Sequence, residues 1–268
     1  MRTTLALCLV LSALPGCRKD GGRPVPGTAV VDRSNGALPE LRALRVAPGE
    51  LVLDGKLDEP AWSGTGTTDA FVSTGSGAPE PGSRVQAAAW VAWDDERLYV
   101  AARIEEIDPV AGCDPGAEDP HVWERSSGLE LMLQPGDPGD NREYFEIQLD
   151  PGRALWATAF DDYNRPITDG PEGRRFGRQE WAPAIESGVR VDAAAGNWTL
   201  EFAVPWADVR STRTAVPPRA GDVWRMNFYS FRDGQADALA WSPIRGEGNF
   251  HFAGRFGRVI FDGGNAAR

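Results

Sequence analysis

The chain has 268 residues, of which 41% are hydrophobic, enough to build one sizeable core. Asp and Glu number 39 against 28 Lys and Arg, so the formal net charge is −11. An acidic surface repels nucleic acid and anionic lipid headgroups, and we therefore expect no nucleic-acid partner. Uncharged ligands and Ca²⁺ remain compatible with this charge balance.

The N-terminus has the pattern of a secretion signal. Arg2 precedes an apolar run, Leu5–Leu14, of about ten residues, which suits a signal peptide and is too short to cross a bilayer. The run ends in the sequence LPGC at Cys17, which resembles a bacterial lipobox. We therefore expect residues 1–17 to be a lipoprotein signal with Cys17 lipidated, and the protein to be exported and lipid-anchored in the cell envelope. Ordinary signal-peptidase cleavage, with Cys17 as a bystander, is the alternative.

The next segment, residues 18–45, is rich in Gly, Pro, Arg and Asp and lacks apolar periodicity. This composition predicts a flexible linker, with the folded domain over residues 46–268. Cys113 is the only thiol in that domain, so no internal disulfide is expected and the core must hold the fold together.

Short runs with period two, separated by Gly, Pro, Asp and Asn, predict a series of β-strands. Two pairs of runs flank short polar turns and predict hairpins: Val85–Trp93 with Leu98–Ile104, and Tyr144–Leu149 with Ala154–Phe160. Further strands are predicted at Leu129–Leu133, Trp198–Val204, Val223–Phe231 and Arg258–Phe261. No window sustains a helical pattern for three turns. The expected fold is all-β, an antiparallel β-sandwich with the two-sheet architecture of immunoglobulin-like and jelly-roll domains.

Five patches in chain order resemble the family 9 carbohydrate-binding modules. They are LDGKLDEPAW at Leu53–Trp62, WDDERLYVA at Trp93–Ala101, Trp123–Leu133, WTLEFAVPW at Trp198–Trp206, and a C-terminal pair, AWSP at Ala240–Pro243 with FHFAGRFG at Phe250–Gly257. Together they cover nearly all of the chain after residue 50. Trp62, Trp93 and Trp206 lie beside apolar strand residues, so we expect them to pack in the core.

The resemblance implies a sugar held between two aromatic rings from different loops, which by motif position are Trp123 and Phe250. Aromatic faces cover the C–H faces of a pyranose, and placed polar groups satisfy its hydroxyls. The polar candidates at matching positions are Glu130, Glu146 and Tyr229. The resemblance thus implies non-catalytic binding of a polysaccharide or oligosaccharide. A solvent-facing position or an Arg partner is the alternative account of Glu130 and Glu146.

Other functions remain as alternatives. Phe250 stands where the family usually has tryptophan, and a scaffold or adhesion module with a decayed sugar site would also fit. Related sandwiches bind b-type haem through Met and His, for which Met132, Met226, His121 and His251 are the candidates, although core packing explains the methionines.

No cofactor is expected to be required. Ca²⁺ is possible at Asp137–Asn141 or Asp161–Asp162, where turn residues offer oxygens, but no metal ligand is assigned. Nothing in the sequence marks a catalytic carboxylate pair, and no G-x-S-x-G elbow accompanies either histidine. We therefore do not expect an enzyme.

Overall fold

The computed structural model describes residues 23–171, 173–246 and 249–264. These residues form fourteen β-strands, two short α-helices and two 3-10 helices. The strands are β1 Glu40–Arg45, β2 Val72–Ser73, β3 Gln86–Trp93, β4 Arg97–Glu105, β5 Gly128–Gln134, β6 Arg142–Leu149, β7 Leu155–Asp162, β8 Thr168–Gly170, β9 Gly173–Arg175, β10 Glu186–Asp192, β11 Asn197–Pro205, β12 Val223–Arg232, β13 Asp237–Ala240 and β14 Gly257–Asp262. The α-helices are α1 Pro60–Gly64 and α2 Val122–Arg125, and the 3-10 helices are Trp206–Asp208 and Ala253–Arg255.

The prediction of an all-β sandwich is confirmed. One curled sheet runs in the order β10-β11-β4-β3-β1-β14-β12-β5-β6-β7, with β13 paired to β12 and β2, while β8 and β9 form a separate hairpin. Both predicted hairpins are present, as β3–β4 and β6–β7. The antiparallel expectation needs one correction, because β1 runs parallel to both of its neighbours, β14 and β3.

The main core lies where the sheet folds over on itself. Alternate residues of β3, β4 and β11 pack against alternate residues of β5, β6 and β12 in one buried cluster. On β5, for example, Leu129, Leu131 and Leu133 face this core. The other face of β5 is covered as well, since Glu130 and Met132 are 1% and 0% exposed. A second layer of side chains therefore lies on the outer face of β5 and β6.

The predicted linker over residues 18–45 is wrong in its described part. Strand β1 occupies Glu40–Arg45 in the middle of the sheet, and its Leu41 and Ala43 belong to the main core. Upstream of it, Arg33 forms an ion pair with Asp69 at 3.0 Å, and Val25 is 1% exposed. The folded domain therefore begins before residue 46. The Gly- and Pro-rich composition predicts a flexible segment. Strand pairing and the burial of a few apolar side chains order it instead.

Two of the motifs meet at a buried carboxylate. Glu201 on β11 accepts hydrogen bonds from the Trp62 indole at 2.7 Å and from the Gly55 backbone N–H at 2.7 Å. Gly55 has φ +82°, a conformation that favours glycine. Trp62, Trp93 and Trp206 are each 3–4% exposed, which agrees with the expected packing role.

The signal sequence and Cys17 lie outside the described residues. Within the described ranges, none of the helices combines the length and the hydropathy that a membrane-spanning helix requires.

Candidate ligand site on the outer face of the sandwich

Strand register places a set of polar and aromatic side chains on one face of β5, β6 and β7. Glu130 lies opposite Gln148, which in turn lies opposite Trp156, and Glu146 lies opposite Thr158. Side chains in a strand alternate between faces, so these five share the outer face while their neighbours fill the main core.

These side chains line a cavity of about 320 Å³, which we call the outer-face cavity. This volume is at the lower end of the range of about 300–1,000 Å³ that small-molecule sites occupy. Four of the five predicted site residues line it, namely Trp123, Phe250, Glu130 and Glu146. The structure thus brings together residues that are 120 positions apart in the sequence between Glu130 and Phe250.

Gln148 connects the two acidic side chains, which we call the carboxyl pair. Its side-chain carbonyl accepts a hydrogen bond from the Trp123 backbone N–H at 3.1 Å. The amide nitrogen of the same side chain donates to Oε2 of Glu130 at 2.9 Å and to Oε1 of Glu146 at 2.7 Å. Because the Trp123 N–H can only donate, it fixes which end of the Gln148 amide faces the carboxyl pair.

Each member of the carboxyl pair keeps one oxygen without a partner. Oε1 of Glu130 and Oε2 of Glu146 are buried and have no hydrogen bond to the described residues, and the same is true of Oγ1 of Thr158. Burial raises the pKa of both carboxyls, and the proximity of Glu146 raises that of Glu130 further. A buried polar atom without a partner is unfavourable, so these three atoms mark where a ligand would contribute hydrogen bonds.

His251 lies beside the carboxyl pair in its neutral form. Burial lowers the pKa of its imidazole to about 3. The Tyr144 hydroxyl is 2.9 Å from Nδ1, and burial raises the pKa of this phenol, so the two neutral groups share a hydrogen bond. Nε2 of the same ring is 3.7 Å from Oε2 of Glu146. Asn141 holds this segment by donating to the His251 carbonyl at 3.0 Å.

Aromatic rings supply the apolar wall of the cavity. The Trp123 indole is stacked on the His121 ring at a centroid distance of 4.6 Å and meets the Trp156 ring edge-on at 4.6 Å. Stacking on His121 covers one face of the Trp123 indole. The aromatic residues that line the cavity are Trp123, Trp156, Phe160, Tyr163, Phe176 and Phe250.

Tyr229 supports the cavity and does not line it. Its ring lies parallel to that of Phe250, with centroids 4.0 Å apart, and its hydroxyl donates to the Phe250 carbonyl at 3.1 Å. The side chain is fully buried beneath Phe250. The predicted contact between Tyr229 and a ligand hydroxyl is therefore replaced by an indirect role, in which Tyr229 positions the Phe250 ring.

The mouth of the cavity carries positive charge. Arg174 and Arg175, both exposed, come from the β8–β9 hairpin and line the cavity. Arg174 forms an ion pair with Asp169 across this hairpin at 3.6 Å. The cavity is thus acidic at its floor and basic at its rim.

Sequence reasoning missed Gln148, Trp156, Thr158 and the arginines. The first three could have been inferred from the sequence, because a strand with Glu146 on one face must place Gln148 on the same face. The predicted hairpin turn at Asp150–Arg153 then sets Trp156 and Thr158 opposite them. The arginines lie in a three-residue strand whose sequence has no apolar alternation, so no comparable signal existed.

The structure shows other contacts for several of the predicted metal and haem candidates. The Asp137 carboxylate pairs with Arg225 and Arg258, and within the described ranges no cluster of three His, Cys, Asp or Glu could hold a metal. Met226 is buried in the main core and Met132 in the second layer on the outer face of β5, and neither lines the cavity. A haem in this cavity would therefore lack a thioether ligand.

No protein-family model and no curated protein matches the chain. Solved structures do. A proposed carbohydrate-binding protein of Bacteroides uniformis superposes with a TM-score of 0.62 at 18% identity, covering 84% of this chain and 100% of the other. Family 9 carbohydrate-binding modules of Caldicellulosiruptor kristjanssonii superpose with TM-scores of 0.53 in complex with cellotriose and 0.54 in complex with glucose, both at 12% identity. They cover 85% and 86% of this chain, and 96% and 99% of their own.

The chain has the fold of a family 9 carbohydrate-binding module. The resemblance carried by the five sequence patches is confirmed at this level. At these identities the likeness concerns the fold alone, so the use of this family-9-like fold has to be argued from the cavity itself.

Proposed function

We propose that the protein binds carbohydrate non-covalently in the outer-face cavity, between the rings of Trp123 and Phe250. The observation that carries this proposal is the combination of aromatic walls with buried, unpartnered oxygens of the carboxyl pair and Thr158 in one cavity. Aromatic faces suit the C–H faces of a sugar ring, and the oxygens would form hydrogen bonds with its hydroxyls. The carbohydrate-binding modules that share the fold support the same conclusion.

We propose further that the site is not catalytic. Glycoside hydrolysis requires two carboxyl groups that flank the scissile bond. Glu130 and Glu146 instead lie on adjacent strands of one sheet face and are bridged by one Gln148 amide. They would therefore reach the same side of a ligand. Hydrolysis would be detected as release of new reducing ends from polysaccharides, and none is expected.

Calorimetric titration of the full chain with a panel of mono- and oligosaccharides tests the binding proposal. We expect saturable heat that is lost in Trp123→Ala and kept in Trp90→Ala, a matched control because Trp90 is half-buried on β3 and does not line the cavity. No heat from any saccharide, with a cooperatively folded protein, would overturn the proposal and favour the scaffold or adhesion role. An absorbance scan for a Soret band checks the haem alternative.

We also propose that the protein is exported and lipid-anchored through Cys17, on the strength of the N-terminal pattern. The matching experiment is metabolic labelling with a fatty acid followed by fractionation. Cys17→Ser should abolish both the label and membrane association, whereas Cys8→Ser should leave them intact. Labelling that persists in Cys17→Ser would contradict the assignment.

A further inference from the structure

The carboxyl pair sets this cavity apart from a simple acceptor site for hydroxyl groups. Glu130 and Glu146 are 1% and 4% exposed, and no Lys or Arg of the described residues forms an ion pair with either. Two adjacent acidic groups are costly to bury without a cation, because desolvation and mutual repulsion both oppose their ionisation. Amide or hydroxyl oxygens would accept hydrogen bonds from neutral hydroxyls at lower cost. The arrangement therefore suits a ligand that brings its own positive charge.

The number and kind of open groups match a primary ammonium. An ammonium carries three N–H donors and no acceptor. The cavity offers three unpartnered acceptors, Oε1 of Glu130, Oε2 of Glu146 and Oγ1 of Thr158. Glu146 and Thr158 are direct cross-strand partners, and Glu130 lies one diagonal step away on β5. Aromatic rings line the same cavity, and an ammonium placed over an aromatic face gains a cation–π interaction.

We infer that the ligand is an amino saccharide, a sugar that carries a free primary amine, with its ammonium group held by the carboxyl pair and Thr158. This inference rests on the proposed carbohydrate function and names the class of sugar. The arginines at the mouth do not oppose it, because they are exposed to solvent and screened, and Arg174 is already paired with Asp169. The carboxyl pair, unlike these arginines, would contact the ammonium group at hydrogen-bond distance.

Three matched ligands test the inference on the unmodified full chain. They are β-1,4-linked tetrasaccharides of glucose, glucosamine and N-acetylglucosamine, which present hydroxyl, ammonium and acetamide at the same ring position. We expect the glucosamine oligomer to bind at least tenfold more tightly than the other two at pH 6.5. Equal or tighter binding of the glucose oligomer would overturn the inference and leave the carbohydrate function intact. Failure of all three, together with the wider saccharide panel, would overturn both.

Charge-neutralising variants give a second, independent measurement. In Glu130→Gln and in Glu146→Gln, the ratio of glucosamine-oligomer affinity to glucose-oligomer affinity should fall at least tenfold. Glu40→Gln removes the same charge from the exposed end of β1, away from the cavity, and should keep the wild-type ratio. A ratio that is unchanged in both cavity variants, or reduced as much in Glu40→Gln, would overturn the inference. Thermal melts establish that each variant is folded.

Proton release provides a readout that affinity alone does not. An ammonium favours the ionised state of the carboxyl pair, so a proton held there should pass to the buffer when the amino saccharide binds. Titrations in buffers of different ionisation enthalpy should show release of up to one proton with the glucosamine oligomer and none with the glucose oligomer. The same proton count for both ligands would contradict the charge-based account.

Discussion

The backbone N–H of Trp123 donates a hydrogen bond to the side-chain carbonyl of Gln148 at 3.1 Å. This contact joins helix α2, which carries part of the aromatic wall, to strand β6, which carries part of the acidic floor. It also orients the Gln148 amide toward Glu130 and Glu146, since the carbonyl end is already engaged. The aromatic and acidic halves of the cavity are therefore held in one arrangement by a single side chain.

Replacing this side chain should affect both stability and binding. Gln148→Leu leaves the Trp123 N–H and two carboxyl oxygens without partners, and we expect the free energy of unfolding to fall by about 1–3 kcal/mol. Saccharide affinity should fall at least tenfold, because the floor of the cavity loses its geometry. Denaturant unfolding and calorimetric titration measure the two effects.

Gln134→Leu is the matched control. Gln134 is also fully buried on β5 and makes three hydrogen bonds, but it does not line the cavity. It should lose comparable stability and keep its affinity. Equal loss of affinity in both variants would show that binding reports general destabilisation and not the role of Gln148.

Variants of Phe250 and Tyr229 should distinguish a residue that contacts the ligand from one that positions the contacting residue. Phe250→Ala removes the ring that lines the cavity, and affinity should fall about tenfold, which is about 1.4 kcal/mol. Tyr229→Phe keeps the ring stacked at 4.0 Å and removes only the hydroxyl bond to the Phe250 carbonyl. It should lower the free energy of unfolding by about 0.5–1.5 kcal/mol and change affinity less than threefold. A folded Tyr229→Phe variant that fails to bind would contradict the expectation that ring stacking alone keeps Phe250 in place.

The carboxyl pair should make stability fall as pH rises. Its pKa values in the folded protein are raised by burial, while unfolded glutamates titrate near about 4.3. Above that pH the unfolded chain has released protons that the folded chain still holds, so the free energy of unfolding decreases with pH. Denaturant unfolding between pH 5 and pH 8 should show a smaller decrease in Glu130→Gln/Glu146→Gln than in the wild type. Parallel profiles would contradict a protonated pair.

His251 should have the opposite effect, so that the free energy of unfolding decreases as pH falls. Its folded pKa is lowered to about 3, whereas an unfolded histidine titrates near about 6.5. The unfolded chain therefore gains a proton first as pH falls, and the stability that His251 contributes above about pH 6.5 is lost toward pH 3. His251→Gln keeps a hydrogen-bond partner for Tyr144 and should lose less stability between pH 6.5 and pH 4. An equally steep loss in the variant would show that another group causes it.

The sequence was sufficient to predict those parts of the fold that depend on local alternation. The β3–β4 and β6–β7 hairpins each join neighbouring strands through a short turn, and their period-two pattern is complete. The pattern also placed Glu130 and Glu146 within strands, but it could not show that their face is buried. That burial comes from distant segments, such as the one held by Asn141 at His251.

Strand β1 shows why the rest of the fold could not be predicted from the sequence. Only Leu41 and Ala43 of its six residues reach the main core. The charged residues beside them give the segment the composition of a linker. Its partners lie far along the chain, since Leu41 pairs with Val259 and Leu44 with Ala92. Pairing over such separations leaves no local signal, and parallel pairing cannot be read from a hairpin turn.

Truncation tests this correction directly. A chain that starts at residue 46 lacks β1 and leaves β3 and β14 with unpaired backbone groups in the middle of the sheet. We expect it to aggregate or to lose cooperative thermal unfolding, whereas a chain that starts at residue 23 should unfold cooperatively and keep its saccharide affinity. A start at residue 39 isolates the contribution of β1 from that of the upstream Arg33–Asp69 ion pair. If the chain from residue 46 melts at the same temperature as the chain from residue 23, β1 is dispensable and the domain start predicted at residue 46 is right. A loss of stability confined to the shortest chain instead assigns the start of the domain to β1, because only that chain lacks the strand between β3 and β14.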